Sequence, residues 1–128
     1  SEMCIRDRHT KMCNQIAIAG ALSGACEALA YAQAVGLDPK LMLESISTGA
    51  AGSAQMNNVA SRILKDDFEP GFFIKHFIKD MKLADEEALA ADARLGVLEY
   101  VLAMYEKLAG EGLGDLGTQA LIKYYEKL

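Results

Sequence analysis

An all-α fold, a bundle of about six helices around a long central N-terminal helix, is what the sequence predicts, on three observations. Twenty of the 128 residues are alanine, which loses no side-chain entropy in a helix, while the β-branched residues that favour sheet are sparse. Apolar residues recur at three- and four-residue spacing and never in regular alternation, so no strand is expected. Gly, Pro and Asp fall in short clusters that divide the chain into helix-sized segments. The length suits one domain with one core, and 52% hydrophobic against 24% charged residues excludes a disordered chain.

The first helix is expected over about 9–35, small or apolar almost all round between Ile16 and Ala34, as a helix buried at the centre of a bundle would be. Gly20 and Gly24 on it would let a neighbour approach closely. Gly36 stops it, and Asp38-Pro39 supplies an N-cap and a first-turn proline for a second helix over 39–47. After a loop at 48–52, Ser53 caps a third helix that ends near Leu64, and the Asp-, Pro- and Gly-bearing stretch 65–71 breaks the chain. A fourth helix over 73–94 carries Phe73, Phe77, Met81, Ala84, Ala88 and Ala91 on one face. Gly96 opens the next break. Val97, Leu98, Val101, Leu102, Tyr105 and Leu108 then form the stripe of a fifth helix ending near Gly110, and a sixth over 116–127 turns Ala120, Leu121 and Tyr124 inward.

A net charge of −5 and a pI near 5.0 argue against a nucleic-acid partner, which would need a basic stripe. The apolar run 16–36 has the length of a membrane span, but Glu27 near its middle makes insertion costly, so neither a membrane nor a secretory signal is expected and the compartment reads as cytoplasmic. Cys13 and Cys26 lie about 20 Å apart along one helix and cannot bridge each other. Cys4, Cys13 and Cys26 form no CxxC pair, and His9 with Cys13 lacks the further ligands of a metal site, so no metal is expected.

Gly112, Gly114 and Gly117 spell GxGxxG, the spacing of a dinucleotide-binding turn, yet they follow a helix where that motif needs a strand, and they read as an interhelical turn. Lys11, Asn14 and Gln15, at i, i+3 and i+4, put an amine and two amides on one helix face. A desolvated lysine can act as general acid or base, and amides orient a carboxylate or hydroxyl without titrating, so the trio suits a small hydroxy acid. Taken alone, it is also what a solvated N-terminal turn looks like.

Lys11-Met12-Cys13-Asn14-Gln15, with Glu27-Ala28-Leu29 and Gly36-Leu37-Asp38 behind it, resembles the C-terminal domain of the β-hydroxyacid dehydrogenases, the family of 3-hydroxyisobutyrate dehydrogenase and tartronate semialdehyde reductase. Asp67-Phe68-Glu69-Pro70-Gly71-Phe72, Lys79-Asp80-Met81 and Gly114-Asp115-Leu116-Gly117-Thr118-Gln119-Ala120-Leu121 are similar to that family's later motifs, in the family's order. The resemblance runs from about Lys11 to Leu128; 9–128 is expected to be the helical domain, and 1–8 match no part of the family. It implies a helical fold like the C-terminal domain of 6-phosphogluconate dehydrogenase, NAD or NADP held mainly by an N-terminal Rossmann domain that the chain does not contain, and a small hydroxy-acid or semialdehyde substrate in the cleft between the two. By the same resemblance Lys11 is the proton donor and acceptor, Asn14 and Gln15 orient lysine and substrate, Phe72 lines the cleft, Lys79 contacts the cofactor and Asp80 stands beside it. A base near neutrality requires a lysine shifted down from about 10.4, and Lys79 is a candidate for the neighbouring cation. His76 is given no role. The chain alone is expected to be inactive and to self-associate through the apolar side that would meet a partner domain; a non-catalytic self-association module is the rival reading.

Overall fold

The computed structural model describes residues 2–126, with side chains from Cys4 onward. Six helices follow one another: α1 (Glu2–Ala34), α2 (Pro39–Ile46), α3 (Ala54–Leu64), α4 (Ile74–Ala90), α5 (Gly96–Gly110) and the short α6 (Ile122–Glu126), the last entered through a 3-10 turn, Thr118–Leu121. No strand forms among the described residues; the one sheet-like contact is an isolated antiparallel bridge between Phe73 and Gly117.

α1 is the spine. Its buried positions Gln15, Ala19, Leu22, Cys26 and Leu29 step by three or four residues and pack against α3, α4, α5 and α6. Length and composition alone would let this helix cross a membrane, but here that face meets other helices. The expectation that α1 is enclosed all round fails: Ala17, Gly24 and Tyr31 lie on an open side, and a Cβ at Gly20 or Gly24 would meet nothing within 4 Å. Among the described residues, none packs closely on these glycines. The helix also starts seven residues earlier than the periodicity suggested.

Side-chain caps set two starts, Asp38 accepting from the Lys40 amide at 2.9 Å and Ser53 from Met56 at 2.9 Å. Four ends share one device, a left-handed residue followed by an amide that reaches back to the last turn. Gly36 and Gly112 supply the positive φ for α1 and α5, and Asp66 and Asp92 do so for α3 and α4. With Asp92 at φ 59 and the Ala93 amide bonded to Ala88 O at 2.8 Å, α4 stops at Ala90, four residues short of expectation. Ala91 is accordingly exposed, Phe73 and Ala88 are half-buried, and the neighbouring Ile74 is fully buried. On α5, Val97 faces solvent while the rest of its stripe is buried. The helix expected over 116–127 is shorter and begins as a 3-10 turn; Ala120 and Leu121 are buried, Tyr124 is half-buried, and Lys127 lies outside the described residues.

Tyr105 and Phe77 meet edge to face at 5.5 Å in the middle of the core. Burial holds the Tyr105 phenol well above its usual pKa and pushes the Cys26 thiol up to about 12, so both stay neutral packing groups. Between α4 and α5, a hydrogen bond with Asp85, reinforced by desolvation, raises the Glu99 carboxyl above its usual range, while Arg94 at 3.4 Å opposes the shift.

Candidate active site

The glycine motif acts in positioning α4. A helix leaves its first amides unpaired; those of Ile74 and Lys75 donate to Leu116 O at 2.9 Å and Gly114 O at 3.0 Å. Lys75 also pairs with Asp115 at 2.6 Å. The Gly117 amide donates to Phe68 O at 2.9 Å, and a Cβ on Gly117 would overlap the Gln119 side chain and lie 2.8 Å from Glu69 O. At Gly117 the amide and the space that a phosphate would need are already used, so this GxGxxG acts as a structural clip, as the sequence context suggested. The clip continues through Gln119, 2% exposed, whose Nε2 donates to Asp67 O and Glu69 O at 3.1 and 2.8 Å. The Tyr105 hydroxyl donates to Thr118 O at 2.7 Å.

So held, α4 runs antiparallel to the first half of α1, with Asp80 opposite Gln15 and Glu87 opposite Arg8. Gln15 is 8% exposed, and its Nε2 donates to Asp80 Oδ2 at 2.9 Å, while Asn14 Nδ2 donates to Gln15 Oε1 at 3.0 Å. A buried amide needs partners, and a carboxylate acceptor is the strongest one available to it. Beside this chain of bonds lies a small cavity of about 110 Å³ lined by Arg8, Lys11, Met12, Gln15, Asp80 and Leu83. Lys11 is exposed and its amine has no hydrogen bond or ion pair among the described residues, so it is available at the mouth.

Three of the six residues singled out in the sequence, Lys11, Gln15 and Asp80, therefore share one cavity, and Asn14 is tied to it through Gln15. Lys79 is exposed on α4, next to Asp80, and lines none of it. Phe72, 40% exposed, lines a different cavity between α3 and the Thr118–Gln119 turn. The sequence reading missed the apolar walls Met12 and Leu83, although Met12 follows Lys11 directly and Leu83 lies one turn after Asp80.

A family profile described as NAD-binding of NADP-dependent 3-hydroxyisobutyrate dehydrogenase matches residues 7–125. The chain belongs to the 3-hydroxyisobutyrate dehydrogenase family. The family's cofactor is NAD or NADP. An uncharacterised oxidoreductase of Bacillus subtilis (strain 168), YkwC, is 51% identical over 120 residues, spanning 94% of this chain and 42% of the relative. A protein of Arabidopsis thaliana named as 3-hydroxyisobutyrate dehydrogenase-like is 44% identical over 123 residues, spanning 96% of this chain and 37% of the relative. The crystal structure of 3-hydroxyisobutyrate dehydrogenase from Salmonella typhimurium superposes with a TM-score of 0.85 at 24% identity, over 90% of this chain and 40% of that one, which is a likeness of fold. The chain thus spans about two fifths of the length of the proteins it matches.

Proposed function

We propose that this chain is the helical, lysine-bearing part of an NAD(P)-dependent dehydrogenase acting on a small β-hydroxy acid or its semialdehyde. The observation that carries the reading is the cavity in which Lys11 meets the bonded pair of buried Gln15 and half-buried Asp80. Asp80 fixes the Gln15 amide, Gln15 fixes the face of α1 on which Lys11 stands, and an amine next to oriented amides is what a carbonyl or hydroxyl oxygen requires. The cofactor, when bound, supplies or accepts the hydride at the substrate carbon. Lys11 gives its proton to the carbonyl oxygen in reduction and removes the hydroxyl proton in oxidation. Asn14 and Gln15 hold the substrate, and Lys79, exposed beside Asp80 and without an ion pair among the described residues, is suited to a cofactor phosphate or ribose.

The greater length of the relatives and the internally used Gly117 amide support a cofactor cradle outside these residues, in a Rossmann domain that closes over the Lys11 end. That closure supplies the desolvation an acid-base lysine needs. On this reading the isolated chain is inactive and binds free NAD(P) poorly, and micromolar affinity in a calorimetric titration would contradict it. Grafting this chain in place of the matching segment of the Bacillus subtilis relative, and assaying small β-hydroxy acids with NAD⁺ and NADP⁺, tests the catalytic role: Lys11→Ala should abolish turnover in a folded protein.

A second property belongs to the same proposal. Tyr31, Val97 and Tyr100, each about two-thirds exposed, leave an apolar surface along the open side of α1 and the start of α5 that suits self-association. Sedimentation should show a concentration-dependent dimer, and a monomer at high concentration would count against it.

A further inference from the structure

Apart from the Lys11 cavity, the molecule has a polar cavity of about 510 Å³ between the outer face of α3 and the corner formed by Phe72 and the Thr118–Gln119 turn. Asn58, Ser61 and Arg62 on α3 and Lys65 at its C-cap recur at i, i+3, i+4 and i+7 and line it. Arg62 and Lys65 form no ion pair with any described carboxylate, although Asp66, Asp67 and Glu69 follow them closely in the chain. Asp67 also lines the cavity but pairs with neither cation, its Oδ1 accepting from the Glu69 amide at 3.0 Å. Two cations, Arg62 and Lys65, thus stand against one acidic residue, Asp67, at this cavity, in a chain whose net charge is −5.

The guanidinium of Arg62, a half-buried residue, is also held in place. Its Nη1 lies 3.4 Å from Glu69 O, and a Cβ on Gly71 would come within 3.2 Å of it, so the glycine leaves the room that Arg62 occupies. The opposite wall is rigid, because the buried Gln119 ties the 67–69 loop to the 3-10 turn by two hydrogen bonds. A fork of donors on Arg62, an ammonium on Lys65 and the neutral donors of Asn58, Ser61 and Thr118 around one space match a tetrahedral oxyanion.

We propose that this cavity binds the phosphate group of a small phosphorylated ligand, at a site separate from the Lys11 cavity and independent of the dehydrogenase reading. The competing role for Arg62 and Lys65 is purely structural, since cations in the last turn of a helix are favoured by its dipole. Titration of the isotopically labelled chain with inorganic phosphate, against sodium chloride at matched ionic strength, separates the two by amide chemical shifts. Phosphate should shift Ser61, Arg62, Lys65, Thr118 and Gln119 saturably. Arg62→Gln should weaken binding about tenfold or more, as expected for loss of a charge-assisted contact, and Arg62→Gln/Lys65→Gln should abolish it with the remaining spectrum unchanged. A second titration with glycerol phosphate should bind at least as tightly if the natural ligand is a phosphate ester. The proposal is overturned if phosphate gives no saturable shift, if the shifts centre on Lys11 and Lys79, or if the two substitutions lower the melting temperature while leaving phosphate binding intact.

Discussion

Replacing Gln15 by Leu keeps most of the side-chain volume and removes the donor that satisfies Asp80. The lost bond is a short amide-to-carboxylate contact of 2.9 Å with the donor 8% exposed. Hydrogen bonds to charged groups contribute about 1.5–3 kcal/mol. Water can replace part of this at the half-exposed Asp80, so about 1–2 kcal/mol is expected. The Asn14 bond adds little, because Asn14 faces solvent. For a chain of this length that corresponds to a fall of roughly 3–8 °C in melting temperature. Asp80→Ala should cost less, since it leaves only a neutral amide unpaired. Thermal and urea unfolding of the two single variants and the double variant form a cycle. A coupling of about 1 kcal/mol or more is predicted, whereas additivity within about 0.3–0.5 kcal/mol would show that the pair does not fix α4 against α1 and would refute the reasoning.

Two further substitutions test the supports of the site. Gly117→Ala forces a Cβ into Gln119 and to 2.8 Å from Glu69 O, so it should destabilise by at least about 1–3 kcal/mol; Gly114→Ala, whose Cβ would sit 3.6 Å from Lys75 Cβ, should be nearly neutral in the same melts. Equal effects would contradict the clip. Glu99 carries a raised pKa, so the folded state binds a proton that the unfolded state has already released, and stability falls as pH rises from the usual carboxylate value through the raised one. Glu99→Gln, which can keep contact with both Asp85 and Arg94, should melt higher than the parent at neutral pH and converge with it in acid; a lower melting temperature at neutral pH would reverse the assigned sign.

The sequence made most of the helices legible because their signals are local. Asp38-Pro39 and Ser53 cap where they were expected to, and Gly36 ends α1 by the left-handed turn that glycine favours. Asp92 performs the same function for α4 with an acidic residue, a conformation that aspartate adopts less readily than glycine, so the stop after Ala90 was hidden. The all-apolar look of α1 was misleading for another reason. Small side chains satisfy both a buried and an open face, and composition cannot say which side is covered. At the site, the helical spacing of Lys11, Asn14 and Gln15 was readable, and the Lys79-Asp80 motif entered through resemblance. The contact between Gln15 and Asp80 joins residues 65 apart, and only tertiary structure brings them together. Phe72 shows the converse, since its motif and that of Thr118-Gln119 are both legible, while their meeting with α3 across one cavity is set only by tertiary structure.

The central claim, that Lys11 transfers the proton, is tested most directly by comparing kcat for Lys11→Arg and Lys11→Ala at saturating substrate in the grafted enzyme, with circular dichroism to show that both are folded. Arginine keeps the charge at the cavity mouth but cannot release a proton near neutrality. Proton transfer by a positioned side chain is worth about 10²- to 10⁴-fold in rate. Both variants should therefore lose turnover to a similar extent, with Lys11→Arg retaining the better substrate affinity. A Lys11→Arg enzyme with near-normal kcat would show that the residue only anchors the substrate, and would contradict the account.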